Sequence, residues 1–272
     1  MIDFYFNGQK LSDHGCIVVG FNTAFQDSIQ FSDITFETIK NRSGESNKIV
    51  NAKYDNVLSS TFDVCKNPCL YKTDEEKIFS DVEISDFMRW VNQKKYFKFK
   101  PIYENDSYQE LYFLGSFTSI SGIIINGKVI GFTLTFTSNA PFGYADEKEY
   151  IASLSSPSDQ FIFYDDSDEI GFCYPDFFQI ECLSNGNLEF HNNRDTRSTV
   201  INNCLKNEVI IMDCSSKIIQ SSLNHPSLYN DFNYNYPRIF NDINDRFNIF
   251  SASISCNIKI KYSPIRKVGI IV

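Results

Sequence analysis

NGKVIGFTLTFTSNAPFGY, residues 126–144, holds the cleanest strand pattern in the chain. Asn-Gly suits a two-residue hairpin turn, because both central residues must adopt positive φ. From Lys128 onward, Ile130, Phe132, Leu134 and Phe136 fall on one face. Thr133, Thr135 and Thr137 fall on the other. A period of two describes a strand with one face on a core and the other toward water or a neighbour. Pro141 and Gly143 then end the pattern.

Upstream of this strand, the segments at 96–100 (YFKFK) and 110–117 (ELYFLGSF) read as further strands. Before them, Ser80 and Glu83 form an S-x-x-E capping box. Ile84, Phe87, Met88 and Val91 follow at helical spacing, predicting one short amphipathic helix over 81–93 that packs on a sheet. Phe87, Met88, Trp90, Val91, Phe132, Leu134 and Phe136 are the expected core of this half. The segments 57–64 and 29–39 read as strands, the latter half-buried.

Downstream, ADEKEYIASLSSPSD is polar, charged and rich in serine, which predicts a linker and a domain boundary near 143–157. The expected domains are 1–148 and 149–272. In the second half, FFQIECLSNGNLEFHN reads as a hairpin turning at Asn185-Gly186, and 208–214 as a short strand. Residues 217–240 read as long loops and edge strands. Near the end, Ile254, Cys256, Ile258, Ile260 and Tyr262 alternate with polar residues. Regular short strands with turns between them predict a β-sandwich. The fold class is therefore mainly β, in two domains, with a lone helix in the first.

Composition agrees. The length of 272 residues suits two domains at roughly 150 residues each. Phe (26) and Tyr (15) are abundant, and both favour strands. A net charge of −9 disfavours nucleic-acid binding, which needs Lys and Arg against phosphate. The first residues lack the pattern of a secretory signal, and no segment reaches the roughly 20 apolar residues of a membrane span. Synthesis in a cytoplasm and no membrane association are the expectations. Eight cysteines are spread over the chain. Cys65 and Cys69 have the spacing of half a zinc site with no second half, so reduced, mostly buried thiols are expected.

No motif of an enzyme stands out. His14, His191 and His225 are far apart, lack ligand spacing and read as surface or loop residues. Asp165, Asp166, Asp168 and Glu169 lack the spacing of a calcium loop and read as a solvated turn, and Asp242 and Asp245 form a second acidic pair. The aromatic run YNDFNYNYPRIF fits a sugar-stacking face, loop anchors or a protein interface.

Four stretches together resemble the distal tail protein (Dit) family of long-tailed phages and related tail-like particles. They are FYFNGQKLSDHGCIVVGF, FMRWVNQKKYFKFKP, LYFLGSFTSISGIIINGKVIGFTLTFTSNAPFGY and IKIKYSPIRKVGI; residues 150–250 are the least diagnostic. The resemblance implies a ring-forming N-terminal β-sandwich with one helix and a galectin-like C-terminal β-sandwich. It implies a homohexameric ring at the tail tip, in the virion, with a central channel for DNA. The implied partners are a second copy of the chain, the tail tube protein, a hub or tail-fibre-like protein, the tape-measure protein, and receptor-binding proteins or cell-wall sugar. With no catalytic or metal pattern and an acidic balance, no cofactor, no enzyme activity and no specific nucleic-acid binding are expected. Within the ring, Thr133, Thr135 and Thr137 are the candidate interface. A carbohydrate-binding accessory module is the alternative, although the single Trp90 lies in the first domain, away from where a galectin-type site would place its stacking ring.

Overall fold

The structure is a computed structural model, and it describes residues 1–20, 31–40, 44, 46–104, 110–223 and 225–270. It divides into two units: Met1–Tyr144 together with the segment from Arg266 onward, and Ala145–Ile265. The polar segment expected to be a linker or inter-domain crossing instead holds a strand, Lys148–Leu154. It borders its sheet on one side only, so alternate residues face water and the sequence looks like a loop.

The strands of the first unit are β1 (Asp3–Phe6), β2 (Gln9–Lys10), β3 (Cys16–Val19), β4 (Ile34–Lys40), β5 (Asn47–Tyr54), β6 (Ser59–Lys66), β7 (Phe97–Ile102), β8 (Phe113–Ile125), β9 (Lys128–Ser138) and β10 (Gly143–Tyr144). Helix α1 (Asp81–Val91) lies between β6 and β7. Seven of the strands form one sheet in the order β2-β1-β7-β8-β9-β6-β3. Strands β1 and β6 are four places apart in that order, yet the rings of Phe4 and Phe62 lie 5.5 Å apart. The sheet therefore curls around its own core. Asn126 (φ 50°) and Gly127 (φ 75°) make the expected tight turn between β8 and β9.

Helix α1 closes this core. Ser80 and Glu83 form the capping box, and Glu83 also pairs with the buried Lys66 of β6 at 2.6 Å. That ammonium donates to the carbonyls of Glu76 and Ile78 as well, which ties the helix entry to the sheet. Phe87 stacks on Phe132 with ring centroids 4.7 Å apart. Trp90 stacks on Phe4 and donates its indole N–H to the Phe6 carbonyl at 2.8 Å. Phe87, Trp90, Val91, Phe132, Leu134 and Phe136 are buried, and Met88 is half-buried against them.

The second unit is a two-sheet sandwich. Its strands are β11 (Lys148–Leu154), β12 (Gln160–Tyr164), β13 (Gly171–Cys173), β14 (Phe177–Cys182), β15 (Gly186–Asn192), β16 (Ser198–Cys204), β17 (Val209–Asp213), β18 (Ile218–Ser221), β19 (Ile239–Asn241), β20 (Phe247–Ala252) and β21 (Cys256–Tyr262), with a one-turn helix α2 (Leu228–Asp231). One sheet runs β11-β21-β14-β17-β18 and the other β12-β20-β15-β16; β13 and β19 pair separately. Phe178 and Phe190 meet between the sheets at 4.9 Å. On β21, Cys256, Ile258, Ile260 and Tyr262 all point into this core.

The expected hairpin at Asn185-Gly186 is an arch. β14 pairs with β17 and β21, whereas β15 pairs with β16 and β20, so the turn carries the chain from one sheet to the other. The side chain of Asn185 accepts from the Lys206 N–H, a loop contact that a hairpin turn does not require. The Asn- and Tyr-rich stretch also holds α2, a helix absent from the sequence expectation.

Truncating Phe87 to Ala should cost about 3–5 kcal/mol of first-unit stability. Val82→Ala, on the exposed side of the same helix, should stay within about 0.5 kcal/mol. Urea unfolding of the full chain, followed by Trp90 fluorescence, separates the two. Equal effects would contradict this account of the core.

Candidate functional site

The three threonines of β9 lie on the half-exposed face of the first sheet. Thr133 donates to the Asp63 carboxylate at 2.6 Å. The hydroxyls of Thr135 and Thr61 are 2.9 Å apart, and those of Thr137 and Thr118 are 2.7 Å apart. The result is a polar ladder across β6, β9 and β8. Both edges of β9 are already occupied, by β8 and β6. Sheet extension through this strand is therefore closed, and what the ladder offers is a flat polar face. The sheet ends at β2 and β3.

A second surface was not singled out from the sequence. Among the described residues, strands β4 and β5 pair only with each other, with a bulge between Glu37 and Thr38. The 29–39 segment was expected to be half-buried. Every residue of β4 is exposed, as is all of β5 except its last residue; residues 29 and 30 lie outside the described residues. Phe36 is 53% exposed and Val50 60%, with Ile34, Ile39 and Ile49 similarly open. The alternation corresponds to strand from Ile34 onward, while 31–33 are not strand, and among the described residues nothing in the ribbon's own unit covers its apolar side. A two-stranded ribbon is marginal alone in water, and its unpaired backbone edges invite a further strand. The signal available in sequence was two β-branched stretches flanking the polar NRSGES run; the exposure of both is a tertiary property.

The remaining polar candidates are drawn into the fold. His14 is half-buried and stacks on Trp90 at 4.2 Å; burial holds its pKa below the usual range against the opposing pull of Asp13 and Asp86. His191 lies beside the Ser198 hydroxyl. The acidic run at 165–169 is not a solvated turn. Asp165 is buried, which raises its pKa, and its carboxylate accepts from the Ser167 N–H. Asp166 takes the Tyr262 hydroxyl at 2.8 Å and the Lys148 ammonium at 2.5 Å. Asp245 pairs with Arg194, while Asp242 is exposed. Cys65 is half-buried and Cys69 exposed. Among the described residues no group of three or more His, Cys, Asp or Glu side chains is placed to hold a metal, and no helix is long and apolar enough to cross a membrane.

His225 departs most from its expected place. Its side chain is 1% exposed, with Nδ1 2.8 Å from Glu208 and Nε2 3.1 Å from Asp231. Glu208 also accepts from the Ser221 hydroxyl and the Leu205 N–H. Asp231 accepts from Ser227 and Asn203. Burial pulls the histidine pKa down, but the two carboxylates outweigh it and the net shift is upward. Hydrogen bonds lower the pKa of Asp231, and they outweigh burial to lower that of Glu208 as well. This array pins α2 to β17 and β18. A groove of about 510 Å³ lies above it, but Ser221, His225 and Ser227 in its lining bond to Glu208 and Asp231. Because the histidine pKa is raised on folding, its stabilisation is present below the unfolded histidine range and fades as pH rises through the raised one. The carboxylate contribution fades as pH falls through the lowered carboxylate range. The stability gap between the wild type and His225→Gln should be widest near about pH 6 and shrink at alkaline pH. Thermal unfolding across pH tests this, and a gap constant with pH would rule out the charged array.

Comparison with known proteins agrees with the two-unit division. A family model described as a phage tail protein N-terminal domain matches residues 1–140, and one described as a phage tail C-terminal domain matches residues 142–262. No curated protein sequence matches. Among solved structures, the chain is similar to the crystal structure of phage SPP1 Dit (gp 19.1), titled a paradigm of the hub adsorption apparatus in phages infecting Gram-positive bacteria. That similarity has a TM-score of 0.64 and 8% identity, over 97% of this chain and 99% of the other. A chain of the phage P2 baseplate in its activated conformation with Ca matches with a TM-score of 0.48 and 11% identity, over 96% of this chain and 98% of the other. The SPP1 likeness is one of fold; the family models reach nearly the whole length. The chain belongs to the phage tail protein family defined by these N- and C-terminal domains.

Proposed function

We propose that this chain is the distal tail hub of a phage or phage-like particle, six copies closing into a ring that joins the tail tube to the baseplate and leaves a channel for DNA. The observation that carries the reading is the exposed β4–β5 ribbon. It presents an apolar surface and backbone edges that the described residues of its own unit leave uncovered. A ring of identical copies needs a heterologous contact, in which one patch meets a different patch on the next copy, repeated by rotation until it closes. An arm from each copy laid along its neighbour meets that need, and burial of its apolar side chains would stabilise the contact by about 25 cal/mol per Å². The threonine face, with Thr133, Thr135 and Thr137, is a second candidate contact, made face-on rather than by strand addition.

Within such a ring the tape-measure protein and DNA would pass through the lumen, and a hub or fibre-like protein would dock below. The net charge of −9 suits a lumen that repels phosphate and lets DNA slide. The second unit would project from the ring toward receptor-binding proteins or cell-wall sugar. The role is mechanical: surfaces hold other parts in register, and no bond is made or broken.

Native mass spectrometry and negative-stain microscopy of the full chain, alone and with the tail tube protein, should show six-fold rings. Phe36→Ser with Val50→Ser should abolish the ring while circular dichroism stays unchanged, because both side chains are exposed in the single chain. Thr133→Lys with Thr135→Lys separates the two candidate contacts: rings that persist would remove the threonine face from the interface. A chain that remains single at every soluble concentration and beside its tube neighbour would overturn the ring itself.

A further inference from the structure

Three thiols meet in the core of the second unit. Cys182 ends β14, Cys256 begins β21 and Cys204 ends β16; all three are free and buried. Cys182 and Cys256 are direct register partners across the antiparallel β14–β21 ladder. Their backbones do not bond to each other. The Cys182 N–H donates to the Glu208 carbonyl at 2.8 Å, and its carbonyl accepts from Asn207 at 2.7 Å, both on the far side of the strand. The next ladder bond toward β21 runs from Leu183 N–H to the Ser255 carbonyl. Cys182 and Cys256 are therefore a non-hydrogen-bonded pair, the position at which opposed Cα atoms approach to about 4.5 Å and side chains share one face. That separation falls inside the range of about 4.4–6.8 Å that a disulfide spans without backbone movement. Both side chains point into the same core.

We propose that Cys182 and Cys256 form a latent cross-strand disulfide, closed in the folded chain by a small two-electron acceptor. The Sγ–Sγ bond forms as both S–H bonds break, and two electrons and two protons pass to the acceptor. With diamide, the N=N bond takes them and becomes a hydrazine. Cys204 sits beside Cys182 from the opposite sheet and donates its own S–H to the Ile201 carbonyl at 3.3 Å. It is the competing partner, but it lies on another sheet with no ladder to fix its distance. Burial pushes the Cys256 thiol up to about 12, so thiolate is scarce and closure is slow. The exposed Cys69 reacts first.

The bond would staple β14 to β21 across the intervening 183–255 segment, a long loop whose closure restricts the unfolded chain. For a tail component built in a reducing cytoplasm and later carried outside it, the staple would close only after assembly. That consequence rests on the proposed function; the bond does not, and it can be tested whether or not rings form.

The test uses the full chain. Exposed thiols are first capped with iodoacetamide under native conditions, and diamide is then added. The chain is denatured, its remaining thiols are capped with N-ethylmaleimide, and it is digested without reduction for mass spectrometry. The expected product joins the peptide of Cys182 to that of Cys256, with the loss of two hydrogens from the intact mass. The Tm of the second unit should rise by about 10 °C. Cys204→Ala should still form the bond, and Cys256→Ala should not. A Cys182–Cys204 linkage, or no linkage after prolonged treatment of the folded chain, would overturn the proposal. The linkage map on the unaltered chain decides even if a variant fails to fold.

Discussion

A β-sheet has two faces, and an apolar face must find cover. The first unit meets this constraint with one sheet and one helix. Curling brings Phe4 of β1 against Phe62 of β6, and α1 closes the remaining opening with Phe87 and Trp90. Lys66 makes the closure specific, because its buried ammonium is satisfied only when Glu83 and the carbonyls of Glu76 and Ile78 stand where α1 begins. One partner removed would leave a buried charge uncompensated. Once the inner face is sealed, the outer face can be polar, and the β9 hydroxyls settle into pairs there.

The same constraint explains why β4 and β5 are unusual. They carry a strand's apolar residues without a core to receive them. Contiguous apolar surface open to water on a folded chain marks a contact with something else. Among the described residues the second unit has no such arm in its two main sheets, which cover each other. Two of its polar clusters are satisfied internally: Glu208, His225 and Asp231 bond to one another, as do Asp166, Tyr262 and Lys148. These networks hold loops to sheets.

Much of this was legible in the sequence, and the parts that were not share a cause. Helix α1 could be read because its cap and apolar stripe are local. The β8–β9 hairpin could be read because Asn126-Gly127 fixes its turn and the alternation fixes its face. Asn185-Gly186 misled because a turn dipeptide reports a change of direction and not which neighbours the flanking strands choose. Lys148–Leu154 looked like a linker because an edge strand keeps half its residues in water. His225 and Asp165 looked exposed because their burial is tertiary: the Asp165 carboxylate bonds only two residues along, to Ser167, yet packing encloses it, and His225 is held in part by Glu208, 17 residues away. The ribbon was legible as strand, but its exposure depends on everything that fails to pack upon it.

The path of the chain carries a further consequence. After β21 it returns to the first unit, where Ile270 is buried in the first core and Val268 packs against it. The sandwich is thus spliced into a loop of its host, with both junctions anchored in the same body. A cassette inserted this way can vary in length without cutting the host's own core. Residues 266–270 belong to the first body by their packing, however late they come in the chain.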